Sequence, residues 1–375
     1  MMKKICFVIN APIMIEPFLG PHIRKLSSEY EVHVATAFED EYLLNNSCDY
    51  IPHNIPIKRD ISLANDFRAL RALFRLCRQE NFTVLLSVTP KAALLSAVAG
   101  FFSRVKCRIH FFTGQVWTNM TGAKRKMLML FDKVVVLLDT AILADGHSQR
   151  KYLIDMGIVK ESKISVLGSG SVSGVDIERF KPLISERIKI RKELNISEDD
   201  IVYVFVGRIN KDKGINELIS AFNNLQAKDN NIRLLLVGYD EGNYSSLLSG
   251  QPNNDIFFIP PTPNPEHYLQ AADIFCCPSY REGFGLSVIE ASSTQLPVIC
   301  SDVYGIMDAM VDDVTGLRCH IKDVDSLYNC MLTLKEDSNL RCKLGQNGRK
   351  RVEAEFTSER VASCLKDFLS SIVNC

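Results

Sequence analysis

The stretch Ser279-Tyr280-Arg281-Glu282-Gly283-Phe284-Gly285-Leu286-Ser287-Val288-Ile289-Glu290-Ala291 reads as the end of a strand near Pro278, a glycine-containing turn, and an apolar helix starting near Phe284 or Gly285. Such a turn leaves free backbone N–H groups at the C-terminal edge of a sheet, where anions bind. Glu282 sits just ahead of the helix and Glu290 two turns along it. Eight residues at 100° each leave the two about 80° apart in azimuth, so both can face one crevice. Two carboxylate acceptors flanking a row of donors suit a ligand with hydroxyls at both ends and phosphates between them, and a sugar nucleotide is such a ligand. The plainer alternative is a pair of ordinary helix charges. It fits either residue alone, but Glu290 follows Leu286, Val288 and Ile289 on a largely apolar helix, where an unpaired carboxylate is costly.

A second loop of similar character lies upstream, in Phe205-Val206-Gly207-Arg208-Ile209-Asn210-Lys211-Asp212-Lys213-Gly214-Ile215. Arg208 and Lys213 share one strand-to-helix connection, where a guanidinium fork and an ammonium point charge suit a diphosphate. Gly207 and Gly214 permit close backbone approach. Lysine-rich loops by themselves are solvated surface. Two anion-suited loops at the C-terminal ends of strands in one sheet carry more weight.

Outward from these loops, short apolar runs alternate with helical patterns along nearly the whole chain, the mark of βαβ units on a parallel sheet. Strands are expected at 4–10, 31–37, 83–88, 108–113, 133–138 and 164–167, and in a second series at 201–207, 233–238, 256–260, 274–278 and 298–301. Helices are expected between the later strands at 216–226, 266–272 and 286–294. The fold class is therefore α/β, with two doubly wound domains in tandem: residues 1–172, residues 173–355, and a last helix within 356–375. That helix shows Val361, Leu365, Phe368, Leu369 and Ile372 on one face, suited to packing back across the domains. The boundary, Gly168-Ser169-Gly170-Ser171-Val172-Ser173-Gly174, resembles a degenerate dinucleotide fingerprint but runs into an irregular, proline-ended segment instead of a helix, so it reads as a hinge. Only Gly20 follows the first strand where a dinucleotide fingerprint needs three glycines, and no GxxxxGK[ST] occurs.

Composition agrees. The chain has 375 residues, 46% hydrophobic and 23% charged, which suits two globular domains at a prior of roughly 150 residues each. Lys plus Arg and Asp plus Glu both total 44, so no global field draws the chain to nucleic acid, and any anion site is local. The apolar runs at 92–102 and 134–138 fall short of the ~20 residues that span a bilayer, and the first strand is too short for a signal-peptide core. Twelve cysteines are scattered from Cys6 to Cys375 without a CxxC pair, which reads as free cytoplasmic thiols; no histidine cluster accompanies them, so no zinc site is expected. A helix over 66–79 carries Phe67, Leu70, Leu73, Phe74 and Cys77 on one side and Arg68, Arg71, Arg75 and Arg78 on the other, with a second basic and apolar segment at 123–129. Such helices either lie on anionic membranes or pack a core beneath a solvated basic face.

Five motifs occur in order from residue 174 onward: Gly174-Val175-Asp176 near Phe180 and Pro182, Gly-Arg-x4-Lys-Gly at 207–214, Val237-Gly238 before an acidic turn, Ala272-Asp273 before a strand, and Glu282-x7-Glu290 with its internal Gly-Phe-Gly. With these the chain resembles the retaining glycosyltransferases of family 4, over essentially its whole length. The resemblance implies the GT-B fold, two Rossmann-like domains facing across a cleft. Thr89-Pro90-Lys91-Ala92 and Phe112-Thr113-Gly114-Gln115-Val116-Trp117 are similar to the bacterial subgroup that builds O-antigen, capsule and related glycans on a polyprenyl-diphosphate carrier.

Carried over residue by residue, the resemblance makes Glu290 the partner of the ribose hydroxyls. Glu282 and the amides of Gly283, Phe284 and Gly285 would hold the donor sugar and its phosphates. Arg208 and Lys213, beside Gly207, would neutralise a diphosphate leaving group without a divalent metal. The base would pack near Ile259, in Phe258-Ile259-Pro260-Pro261, with uracil the family's commonest base. No metal and no other cofactor is implied, and no protein nucleophile is needed.

In the first domain the family's double glycine after strand one is missing. The place of its sugar-contacting histidine is taken by Thr113, with Gly114, Gln115, His147 and Lys91 as neighbouring candidates and His110 read as a structural histidine. The implied partners are a nucleotide sugar, a UDP-sugar first, and a lipid-linked saccharide. The implied location is cytoplasmic, peripheral at the inner face of the membrane. Competing readings are a UDP-sugar 2-epimerase, which needs a cleft acid/base cluster not found here, and a non-catalytic sugar-nucleotide-binding protein, which would tolerate loss of Glu282 or Arg208.

Overall fold

A computed structural model describes residues 2–38, 49–58, 62–248 and 255–373. The chain divides into two units, Met1–Gly174 with Ser358–Cys375, and Val175–Thr357.

In the first unit, β1 (Lys3–Val8), α1 (Ile15–Leu26), β2 (Tyr30–Thr36), β3 (Ile51–Asn54), α2 (Leu63–Glu80), β4 (Val84–Ser87), α3 (Pro90–Phe102), β5 (Cys107–Phe112), α4 (Gly122–Leu138), β6 (Ala141–Ala144), α5 (His147–Asp155) and β7 (Ile164–Val166) follow one another. The strands form one parallel sheet in the order β3-β2-β1-β4-β5-β6-β7. Under α2 and α3 the core is built of Cys6, Val8, Leu73, Cys77, Leu85 and Ala92.

The second unit runs α6 (Ile184–Glu193), β8 (Ile201–Val206), α7 (Ile215–Gln226), β9 (Ile232–Val237), α8 (Tyr244–Leu248), β10 (Ile256–Ile259), α9 (Pro265–Ala271), β11 (Ile274–Cys277), α10 (Leu286–Ser293), β12 (Val298–Ser301), α11 (Ile306–Ala309), β13 (Gly316–Cys319), α12 (Val324–Glu336) and α13 (Ser338–Glu355). Its parallel sheet has the order β10-β9-β8-β11-β12-β13. Both faces are covered: Val202 and Val204 of β8 enter one core, Tyr203 and Phe205 the other. Continuous apolar strands are what two-sided burial requires. The order reverses between β8 and β11, and in such sheets ligands bind outside the carboxyl ends of the strands at this switch point.

The last helix, α14 (Ser358–Val373), belongs to the first unit and packs on α1, burying Val361, Ala362, Leu365 and Leu369. Lys366 of α14 reaches Glu29 at 2.6 Å. The division between the units falls at 174/175, two residues beyond the expected 172/173, because Val175 hydrogen-bonds to Phe356 in the second unit. Of the expected terminal segment, residues 374 and 375 lie outside the described residues.

Several expected elements differ. The run 133–138 is the last part of α4, not a strand. Its β-branched residues favour a strand locally, but the helix begun at Gly122 continues through them and buries Val135 and Val136; the strand is Ala141–Ala144. The edge strands β3 and β13 were not anticipated, β3 because it is mostly exposed and contains Pro52. The buried side of α2 is Ala69, Leu73, Leu76 and Cys77, while Phe67 and Phe74 stand exposed among the arginines. Gly20 lies inside α1, not in the turn after β1.

Candidate active site

The expected donor residues belong to the second unit, at the C-terminal ends of β8, β10 and β11. Two connections meet there. The β8–α7 loop carries Gly207, Arg208 and Lys213, and the β11–α10 loop carries Ser279 to Gly285. They are fastened at successive levels. The Tyr280 amide donates to the Asp212 carbonyl at 2.8 Å, Arg281 Nε lies 3.4 Å from Asp212 Oδ2, and the Tyr280 hydroxyl donates to Glu217 Oε1 at 2.7 Å. Lys213 Nζ donates to Glu282 Oε1, which also accepts from Ser279 Oγ at 2.8 Å. Gly214 lies against the Pro278 carbonyl, so close that a Cβ would stand 2.1 Å from that oxygen, and its φ is +70°. Only glycine combines that conformation with that approach.

The turn ahead of α10 has its own signature. Gly283, Phe284 and Gly285 are buried, yet none of their amides donates to a backbone carbonyl among the described residues. Gly285, at φ +93°, is the N-cap of α10 and supplies no side-chain acceptor. Buried N–H groups are ordinarily paired, so a row of open ones at the positive end of a helix is a cradle for an anion. Phe284 contributes through its amide alone. Its ring is 1% exposed and meets Phe356 edge-on at 5.3 Å in the core, which fixes the turn from behind.

Glu290 is half-buried on α10, and no hydrogen bond or ion pair engages its carboxylate among the described residues. Burial pushes its pKa up to about 7, with Arg179 pulling the other way and Glu266 adding to the rise. Arg179 itself donates to Glu266 Oε2 at 2.8 Å, so it is not a dedicated counter-ion. Arg208 is exposed and held by Glu241 in the turn after β9, at 3.1 and 3.2 Å to the two carboxylate oxygens. Both site cations therefore carry a carboxylate partner that an incoming diphosphate would compete with. Ile259 ends β10, half-buried, its carbonyl accepting from the Gly238 amide at 2.9 Å. Burial drives the Cys277 thiol up to about 11, so this cysteine beside Glu282 stays protonated.

The first-unit candidates also share one sheet edge. Lys91 stands in the first turn of α3 after β4, Thr113, Gly114 and Gln115 follow β5, and exposed His147 opens α5 after β6. Lys91 pairs with Asp66 at 2.6 Å, Thr113 Oγ1 donates to the Val88 carbonyl at 3.2 Å, and Gln115 is buried. His110 is a core residue: it shares a 3.0 Å hydrogen bond with Ser87 Oγ, and burial lowers its pKa to about 3, leaving it neutral.

Sequence reading missed Ser279, Tyr280, Glu217 and Arg179. Only Ser279, three residues before Glu282, has a spacing that a local pattern could reveal; the others act across separations of 63 to 87 residues.

A family model described as glycosyl transferases group 1 matches residues 186–351, the part of the chain that holds all of these donor-side groups except Arg179. The chain belongs to this family and is a glycosyltransferase with the GT-B fold, similar to enzymes of bacterial surface polysaccharide synthesis. Over 338 residues, 88% of this chain and 87% of the relative, it is 34% identical to a capsular polysaccharide biosynthesis glycosyltransferase of Staphylococcus aureus, CapM. It is 26% identical, over 97% of both chains, to the UDP-Gal:alpha-D-GlcNAc-diphosphoundecaprenol alpha-1,3-galactosyltransferase of Escherichia coli. Among solved structures, Anabaena HepE in complex with UDP superposes with a TM-score of 0.81 at 19% identity, over 99% of this chain and all of that one (100%).

Proposed function

We propose that the enzyme moves a sugar, with retention at the anomeric carbon, from a UDP-sugar to a polyprenyl-diphosphate-linked saccharide, without a divalent metal and at the inner membrane surface. The observation that carries the donor side is the row of open amides at 283–285 between Glu282 and Glu290. The diphosphate sits over these amides, and Lys213 and Arg208 turn from their carboxylates to the phosphate oxygens. As the bond between the anomeric carbon and the diphosphate oxygen breaks, negative charge grows where these donors and cations converge. Glu290 accepts from the ribose hydroxyls, and Glu282 from the sugar. The acceptor hydroxyl attacks on the face the diphosphate leaves: its oxygen bonds to the anomeric carbon and its proton passes to a phosphate oxygen.

The names of the relatives support the donor and acceptor. One relative uses UDP-Gal and a diphosphoundecaprenol-linked sugar, and one structural neighbour holds UDP. Peripheral attachment is supported by α2, where Leu63, Phe67 and Phe74 are 86%, 67% and 37% exposed beside Arg68, Arg71, Arg75 and Arg78. Among the described residues no helix is long and apolar enough to cross a membrane.

The test is turnover of the purified enzyme with a UDP-sugar panel and a polyprenyl-diphosphate monosaccharide in excess EDTA, with the product's anomeric configuration read by NMR. Retained configuration with EDTA-resistant turnover is expected. An inverted product, or loss of activity in EDTA restored by magnesium, contradicts the proposal.

A further inference from the structure

Away from the sheet edge that carries the acceptor candidates, the first unit gathers a set of side chains that the sequence keeps far apart. Lys4 of β1 pairs in register with Glu31 of β2, His33 follows two residues on, β3 brings His53, and α2 ends at Glu80. One ligand atom each from Glu31, His33 and Glu80 lie within 4.8 Å of one another.

His33 is built as a metal-binding histidine is. It is 1% exposed, its ring stacks on His53 at 5.0 Å and meets Phe82 edge-on at 5.0 Å, and its Nδ1 shares a 2.7 Å hydrogen bond with His53 Nε2. Its other nitrogen, Nε2, lies 2.9 Å from Glu31 Oε1. A ligating histidine needs one nitrogen anchored so that the other presents its lone pair, and the anchoring partner fixes the tautomer. The carboxylates already attract a cation: Lys4 Nζ sits 3.0 Å from Glu31 and 2.6 Å from Glu80.

We propose that Glu31, His33 and Glu80 form a zinc site, with His53 anchoring His33 and the Lys4 ammonium occupying the cation position until the metal displaces it. One imidazole nitrogen and two carboxylate oxygens, with water as fourth ligand, suit Zn²⁺; imidazole disfavours Mg²⁺. Bonds of ~2.1 Å draw the ligand atoms to about 3.4 Å apart, a closure that the part-exposed Glu31 and Glu80 side chains can make. The ion ties the C-terminal end of α2 to β2. All three ligands belong to the first unit.

The test titrates the metal-free full chain with Co²⁺, read by visible absorption, and with Zn²⁺ by calorimetry, beside Glu80→Gln, His33→Gln and Lys4→Gln. We expect one equivalent bound with d–d bands and no thiolate charge-transfer band. Glu80→Gln should weaken binding at least tenfold, Lys4→Gln should tighten it, and Zn²⁺ but not Mg²⁺ should raise the unfolding midpoint. Because His33 is buried, Glu80→Gln is the deciding variant if His33→Gln does not fold. Thiolate bands, binding unaffected by Glu80→Gln, or no saturable binding in folded Lys4→Gln overturns the proposal.

Discussion

Lys213 and Glu282 pair across the point where the strand order of the second sheet reverses, joining the loop after β8 to the loop after β11. Their side chains are 19% and 15% exposed, so the pair is largely out of solvent. Removing Lys213 leaves a mostly buried carboxylate uncompensated, and breaking such pairs costs ~3 kcal/mol when buried, less with this residual exposure. Lys213→Ala is expected to lower the unfolding free energy by about 2 kcal/mol in urea denaturation and to reduce kcat/KM at least a hundredfold. Glu282→Gln, which keeps the Ser279 hydrogen bond, should cost less stability but a similar share of activity. A double-mutant cycle should give a coupling of at least about 1 kcal/mol.

Gly214→Ala tests the backbone contact beneath that pair. Its Cβ would meet the Pro278 carbonyl at 2.1 Å in a left-handed conformation that alone costs about 1 kcal/mol for a non-glycine residue. Backbone must move, separating the two loops. The expected result is destabilisation of about 2 kcal/mol or more, with nucleotide affinity falling alongside it in calorimetry.

Glu290 sets a pH dependence with opposite signs for stability and for binding. Its pKa rises from 4.5 to about 7 on folding, so the protonated form is favoured by the fold. That contribution is present below pH 4.5 and is lost as pH rises through about 7. Above pH 7 the ionised group destabilises the fold by up to about 3 kcal/mol, nearer 1–2 because the side chain is only half-buried. Ribose hydroxyls need the ionised acceptor, so donor affinity should fall as pH drops below about 7. Glu290→Gln should unfold at a higher temperature than wild type at pH 8, bind the nucleotide more weakly, and flatten the pH profile between 6 and 8.

How far the site was legible follows from sequence distance. The strand–turn–helix at 279–291 could be read because a glycine turn, two glutamates eight apart and an apolar helix are all local signals. Glu241 holding Arg208 and Glu217 holding Tyr280 span 33 and 63 residues, and only the parallel sheet brings them together. The run at 133–138 failed for a related reason: three valines followed by two leucines look like a strand until the helix already under way from Gly122 claims them. His33 and His53 look unclustered in sequence, and the β2–β3 register stacks them.

The exposed face of α2 predicts anionic-membrane binding that salt weakens. A Phe67→Ser, Phe74→Ser double variant, at residues outside the buried stripe, should leave the unfolding midpoint within a degree or two and abolish sedimentation with phosphatidylglycerol vesicles. Arg71→Gln with Arg75→Gln should weaken binding and reduce its salt dependence. Equal binding to purely zwitterionic vesicles would contradict an electrostatic contribution from these arginines.

The donor site is tested most directly by thermal unfolding of the full chain with UDP, GDP, ADP or NAD, each with magnesium and with EDTA, beside Glu290→Ala. Saturation at 100 times the dissociation constant stabilises by roughly 2.7 kcal/mol, which moves the midpoint by several degrees. The expected result is a shift with UDP in EDTA that the variant loses. No shift with any nucleotide, or an equal shift in Glu290→Ala, would show that the open amides between the two glutamates are not the donor site.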